Sequence, residues 1–194
     1  MPDIIKILTP EVSNKIAAGE VVQRPSSVLK ELLENSIDAN SSKIKIIIKN
    51  AGKNLIQVID DGIGMSRNDM YKSFIKHATS KINKIDDVFS INSMGFRGEA
   101  LAAISSVSMI EMSSSKLNEN DGYFIEINGG KVITEKELIG NKGTSIKVQN
   151  LFYNVPARRN FLKSDFVELR HIINVFNSIA ISNNEIEFSF INND

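Results

Sequence analysis

Apolar residues between 25 and 39 recur at helical spacing: Val28, Leu29, Leu32, Leu33 and Ile37. Pro25 and Ser26 open that stretch, and both are start signals for a helix reaching about Ala39. A first helix is expected over 10–22, from Thr9-Pro10 through Ile16, Ala17 and Val21. The pattern then becomes strand-like. Residues 43–49 and 54–60 are β-rich, and Asn50-Ala51-Gly52-Lys53 between them predicts a hairpin turn. Residues 67–77 read as helix, and Gly98 to Ser105 as a short helix. Strands are expected at 106–113, 122–128, 131–135 and 144–150, with Gly129-Gly130 as a turn. A helix over 156–181 and a strand at 186–191 complete the pattern. Ser113 to Asp121 reads as a polar loop. Hairpins dominate over βαβ alternation. The expected fold is therefore α+β, with a mixed, mostly antiparallel sheet and helices on one face.

The 25–39 helix carries more than a core face. At 3.6 residues per turn, Asn35 lies roughly 40° and Asp38 roughly −20° from Glu31. Glu31, Asn35 and Asp38 thus form a polar stripe opposite the apolar one. Asn and Asp are poor helix formers, so propensity does not explain them. Residues 78–98, rich in Ser, Asn, Lys and Gly, are long for a plain connection and read as a lid.

Composition narrows the chemistry. The 194 residues suit one domain, and 42% hydrophobic content is enough for an ordinary core. Basic and acidic residues balance at 23 each, which argues against a strong sequence-independent grip on DNA. There is no cysteine, which excludes disulfides and thiol catalysis. His77 and His171 are the only histidines, too few for a multi-histidine zinc site. No apolar run reaches the ~18 residues of a membrane span, and the first residues lack a leader pattern. The expectation is a soluble, intracellular, cytoplasmic protein with no membrane partner.

Each candidate residue has a plain reading beside a chemical one. Glu31 alone reads as an exposed helix carboxylate; its chemical reading is a general base for water in phosphoryl transfer. Asn35, one turn on, offers an amide oxygen to Mg²⁺, which prefers oxygen ligands shared with phosphates and water. Asp60-x-Gly62-x-Gly64 ends an apolar strand. It reads as a common Asp-Gly turn or as a carboxylate accepting from a base's exocyclic amine, with glycines allowing close approach. Gly95-Phe96-Arg97-Gly98-Glu99-Ala100-Leu101 reads as a glycine-rich helix cap or a phosphate cradle. No P-loop pattern occurs. Lys142-Gly143-Thr144 reads as a turn, or as the source of a hydroxyl beneath a base. Thr79, Ser80 and Lys81 are phosphate candidates. Arg158-Arg159 reads first as a solvated face and second as a phosphate contact.

In combination and in order, these segments resemble the GHKL ATPases. Lys15 to Val22, Arg24-Pro25, Lys30-Glu31-Leu32, Asn35-Ser36 with Asp38-Ala39, and His77 to Lys81 are most similar to the MutL mismatch-repair family. So are Gly95 to Leu101, Leu151 to Asn154, and Pro156 to Arg159. The resemblance covers nearly the whole chain. It implies a Bergerat-type α/β sandwich over 1–194 that binds ATP and Mg²⁺, with 1–20 as a dimer-contact arm and 78–98 as an ATP lid. It implies Glu31 as general base, Asn35 as magnesium ligand and Asp60 as adenine reader. Asp38, Gly62, Gly64, Thr79, Ser80, Lys81, Gly95 to Leu101 and Thr144 would complete the nucleotide contacts.

The resemblance also implies partners: a second copy on ATP binding, a MutS-like mismatch-recognition protein, downstream nicking or unwinding factors, and DNA for the longer dimer. The family's second amino-terminal subdomain, which supplies a lysine to the phosphates, and its carboxy-terminal dimerisation domain have no counterpart here. Asp61 stands where the family frequently has Asn, and Asn160 where a lysine is usual. The expected activity is therefore weak ATP hydrolysis. The alternatives are a nucleotide-regulated interaction module without useful hydrolysis, and a DNA-binding module, which zero net charge disfavours.

Overall fold

A computed structural model describes residues 7–79, 98–116, 121–140 and 142–193. Six α-helices and seven strands are described: α1 (Pro10–Val21), α2 (Pro25–Asp38), β1 (Lys43–Lys49), β2 (Leu55–Asp60), α3 (Arg67–Ser73), α4 (Ala100–Ser106), β3 (Met109–Ser115), β4 (Asp121–Asn128), β5 (Lys131–Ile139), β6 (Gly143–Gln149), α5 (Pro156–Phe161), α6 (Asp165–Ser182) and β7 (Glu187–Asn192). The strands form one sheet in the order β5-β4-β3-β6-β2-β1-β7. Every pairing is antiparallel except β1 with β7. This is the mixed, mostly antiparallel sheet expected from the hairpin-rich order.

Strand alternation gives the sheet one dry face. Ile44, Ile46 and Ile48 on β1, Ile56 and Val58 on β2, Ile110 and Met112 on β3, and Ile146 and Val148 on β6 are all buried. Their neighbours, including Lys45, Gln57, Glu111 and Lys147, lie at or near the surface. Helix α2 covers the dry face with Val28, Leu29, Leu32 and Leu33, each at most 1% exposed. Burying each such side chain contributes about 1.5–3 kcal/mol, enough to fix α2 without a side-chain cap at Arg24. Helix α6 packs on α2, and α1 packs on α4.

Several boundaries differ from the pattern-based expectation, each for a local reason. Helix α3 stops at Ser73; the backbone N–H groups of Phe74 and Ile75 turn back to Tyr71 and Lys72. His77 then takes a left-handed conformation (φ +63°). Strand β3 begins at Met109, because the Ser108 hydroxyl closes α4 by donating to the Ile104 carbonyl at 2.6 Å. Ser113 to Ser115 belong to β3 rather than to a loop, paired on both sides with β4 and β6. Strand β5 runs on to Ile139 and carries a bulge opposite Glu126/Ile127. The helix expected over 156–181 is two helices. Lys53 Nζ reaches the Lys163 carbonyl and the Asp165 carboxylate, both at 2.7 Å, across the break.

Leu33 joins α2 to the dry face with no solvent exposure. Leu33→Ala should lower the unfolding free energy by about 2–5 kcal/mol in a urea melt, with little change in slope.

Candidate functional site

The dry rows of β2, β6 and β3 all turn polar at one rung. Asp60 pairs with Thr144, and Thr144 with Ser114. Parity places these three on the buried face, following Ile56 and Val58, Ile146 and Val148, and Ile110 and Met112. Ser36 on α2 donates from its hydroxyl to Asp60 Oδ2 at 2.8 Å. The amides of Gly62 and Thr144 donate to Asp60 Oδ1 at 3.0 and 3.2 Å. One carboxylate therefore ties together a helix, a turn and a neighbouring strand. Thr144 Oγ1 lies 2.8 Å from Ser114 Oγ, which also donates to the Gly143 carbonyl and accepts from the Met65 amide.

Burial pushes the Asp60 carboxyl above the usual aspartate range, against the lowering effect of its hydrogen bonds from Ser36, Gly62 and Thr144. The charge of Asp61 adds a smaller push in the same direction. Asp61 itself faces away. Burial would raise it, but the Ser42 hydroxyl and the Lys43 and Ser42 amides hold it below the usual range. Those bonds measure 2.5, 2.9 and 2.7 Å, and they fix the start of β1.

The turn after Asp60 leaves no room for larger residues. A Cβ on Gly62 would come within 2.7 Å of Ala39 Cβ and Ser41 Oγ. Gly64 is left-handed (φ +68°), and a Cβ there would sit 1.9 Å from the Ser115 carbonyl oxygen. Gly143 (φ +112°) faces the Asp60 carbonyl with the same lack of space, 2.0 Å. These contacts hold the backbone of the turn close beside the polar rung.

Glu31, Asn35 and Asp38 are all half-buried on α2, and one Asp38 carboxylate oxygen is wholly inside. Glu34, between them in sequence, is buried and paired with Lys30 at 2.6 Å. Glu31 lies five residues before Ser36, roughly 7–8 Å along the helix axis from the Asp60 contact. The amide oxygen of Asn35 lies on the same helix one turn from the Glu31 carboxylate. That suits a hard cation drawing its other ligands from phosphate and water. Among the described residues there is no cluster of three His, Cys, Asp or Glu side chains able to hold a metal unaided.

A second group forms where residues 77–79 meet residues 98–101. The His77 amide donates to the Gly98 carbonyl at 3.1 Å, and His77 Nδ1 lies 3.1 Å from Glu99 Oε1. A Cβ on Gly98 would come within 2.3 Å of the Ala78 carbonyl oxygen. Thr79 is half-buried beside this junction, and Ala100 and Leu101 begin α4. Ser80, Lys81, Gly95, Phe96 and Arg97 lie outside the described residues, as does most of the expected 78–98 lid.

Residues 23–152 match the family model described as histidine kinase-, DNA gyrase B- and HSP90-like ATPase. The chain belongs to this ATPase family. The MutL resemblance is borne out by its relatives. The whole chain is 55% identical to the DNA mismatch repair protein MutL of Christiangramia forsetii over 193 residues, and 51% identical to that of Flavobacterium johnsoniae. It spans 31% and 30% of the length of those curated relatives. The Aquifex aeolicus MutL ATPase domain complexed with ADP superposes with a TM-score of 0.70 at 31% identity, covering 89% of this chain and 61% of that one. The amino-terminal domain of a DNA repair protein gives 0.78 at 29%, covering 92% and 51%. The fold of this chain is thus that of MutL ATPase domains. No helix among its described residues is long and apolar enough to cross a membrane.

Two residues of this polar cluster escaped sequence reasoning, Ser36 on α2 and Ser114 on the rung. Both carried a readable signal. Ser36 lies roughly 140° from Glu31, in the middle of the apolar stripe, and Ser114 continues the buried row of β3. A hydroxyl in a dry row needs a buried partner. Arg158 corrects a different expectation. It is half-buried rather than a solvated face, donating to the Val22 carbonyl at 3.3 Å.

Because the Asp60 carboxyl is raised, the folded state binds its proton more tightly than the unfolded chain does. The resulting stability is fully present below the ordinary aspartate value and is lost as pH rises through the folded one. Asp60→Asn keeps the shape and removes this titration. The stability of wild type relative to Asp60→Asn should therefore fall as pH rises through that window. Urea melts in a pH series check it; a flat or rising difference counts against it.

Proposed function

We propose that this chain is the nucleotide-binding part of a MutL-like mismatch-repair protein, that it binds Mg-ATP between α2 and the Asp60 rung, and that it hydrolyses it weakly. The observation that carries this reading is the Asp60 carboxylate. It is held at a sheet end by three donors, in a chain matched over residues 23–152 to an ATPase family. An acceptor so placed beside a tight glycine turn is suited to an amino group on a flat heterocycle. Asp60 reads the adenine edge, Gly62 and Gly64 allow the ring close to the backbone, and Thr144 supports it from β6. Asp38 lies on the same helix, one turn beyond Asn35.

Glu31 would take the proton of the water that attacks the terminal phosphorus as the bond to the bridging oxygen breaks and ADP leaves, and Asn35 would hold the magnesium ion. Bound magnesium would neutralise charge on the phosphate oxygens. Thr79, Ser80, Lys81 and Gly95 to Leu101 close on the phosphates, with 78–98 as the lid. Residues 1–20 form the arm through which two copies meet when ATP is bound. The exposed apolar side chains of Ile7, Leu8 and Ile16 support that role. In the longer protein, the dimer would link a MutS-like mismatch-recognition partner to nicking or unwinding factors on DNA, in the cytoplasm.

A second reading is a nucleotide-regulated module without useful hydrolysis.

A thermal melt with and without Mg-ATP tests binding. Ligand at 100 times its dissociation constant adds about 2.7 kcal/mol, or roughly 5–10 °C for a domain of this size. That shift should appear in wild type and vanish in Asp60→Ala; its absence from wild type at millimolar Mg-ATP overturns the proposal. Glu31→Ala should keep the shift and abolish phosphate release. Equal release from wild type and Glu31→Ala favours the second reading.

A further inference from the structure

We infer that Arg158 is a positioning residue that couples the phosphate-side helix α4 to the amino-terminal helix α1. Residues 150–158 touch many parts of the fold. The Phe152 amide donates to the Val107 carbonyl at 2.7 Å, and the Asn154 side chain donates to the Ser106 carbonyl at 2.9 Å, so both hold the carboxyl end of α4. Phe152 is fully buried, with a left-handed backbone (φ +62°) that turns the chain toward α5. The Arg158 guanidinium lies over the Phe152 ring, 5.9 Å from its centroid. It then reaches the last turn of α1. Nη1 donates to the Val22 carbonyl, and a Cβ on Gly19 would stand 1.1 Å from Nη2.

The physical consequence is a continuous contact from α4 through Phe152 and Arg158 to α1. A cation at the carboxyl end of α1 suits the helix dipole, and its planar fork fills the space that a side chain at residue 19 would occupy. This accounts for a glycine inside a helix, where glycine is otherwise a poor choice. Gly19 is there for Arg158. A shift of α4 is transmitted to the arm by this route as well as by the direct packing of α1 on α4. The inference rests on the nucleotide reading above, because it is the nucleotide that would move or order α4.

Two measurements test it on the whole chain. The first is amide hydrogen exchange with and without Mg²⁺ and a non-hydrolysable ATP analogue. In wild type, the analogue should slow exchange several-fold in α2, in α4 and in residues 9–22. In Arg158→Ala, the slowing of α2 and α4 should remain and that of 9–22 should be reduced, since only the direct packing of α1 on α4 is left to carry it. Unchanged protection of 9–22 in the variant overturns the inference, as does its absence from a wild type whose α2 and α4 are protected. Absence of protection everywhere in wild type instead overturns the nucleotide reading.

The second measurement needs no nucleotide and covers the case in which Arg158→Ala folds poorly. Gly19→Ala should lower the melting temperature of wild type, because the methyl displaces the guanidinium. In an Arg158→Lys background it should do so less, or raise it, because helix propensity then favours alanine. An equal drop in both backgrounds overturns the inference.

Discussion

The fold depends on how one partly buried carboxylate is satisfied. Asp60 closes β2 at the place where three strands exhaust their apolar rows, and it has lost enough water for its carboxyl to be raised. A carboxylate in that position is tolerable only if donors converge on it. Those donors come from α2, from the Gly62 turn and from β6. Satisfying Asp60 therefore fixes the height of α2 above the sheet, and with it Glu31 and Asn35. The glycine requirement at 62, 64 and 143 follows from the same closeness. Larger residues would open the gap that the three hydrogen bonds need closed.

The neighbouring acids show how local geometry separates two identical groups. Asp60 and Asp61 are adjacent in sequence, yet one is pushed up and the other down. Strand alternation points Asp60 into the dry face and Asp61 out toward Ser42 and Lys43. The second carboxylate anchors the start of β1, so its role is structural even though its charge is felt at the first. Asp61 thus adds charge beside the Asp60 rung without adding a group that faces it.

Much of this arrangement was legible in the chain. Helical spacing alone put Glu31, Asn35 and Asp38 on one stripe, and strand patterns placed Asp60 at a strand end and Thr144 at a strand start. The register that makes Asp60 and Thr144 partners was not legible, because pairing between distant strands leaves no local mark. Ser36 and Ser114 were legible in principle as hydroxyls in dry rows, but only once the rows had been drawn as continuous. The break between α5 and α6 was hidden for another reason: the apolar period runs through it, and the contacts at Lys163 and Asp165 come from Lys53, more than a hundred positions away. Arg158 looked like surface because an arginine beside another arginine usually is.

The place of Arg158 bears on how such a domain works. Arginine at a surface position costs little and signals little. Arginine laid over a buried ring and against a glycine in another helix occupies a place shaped for it. Gly19 is a poor choice for its own helix, yet it makes room for the guanidinium, and the ring of Phe152 carries it. A guanidinium that meets a glycine in one helix and a buried ring in another segment ties the two segments together. The arrangement fixes the end of α1 through a polar contact laid over a buried ring, in addition to the apolar packing of Ala18 and Val22.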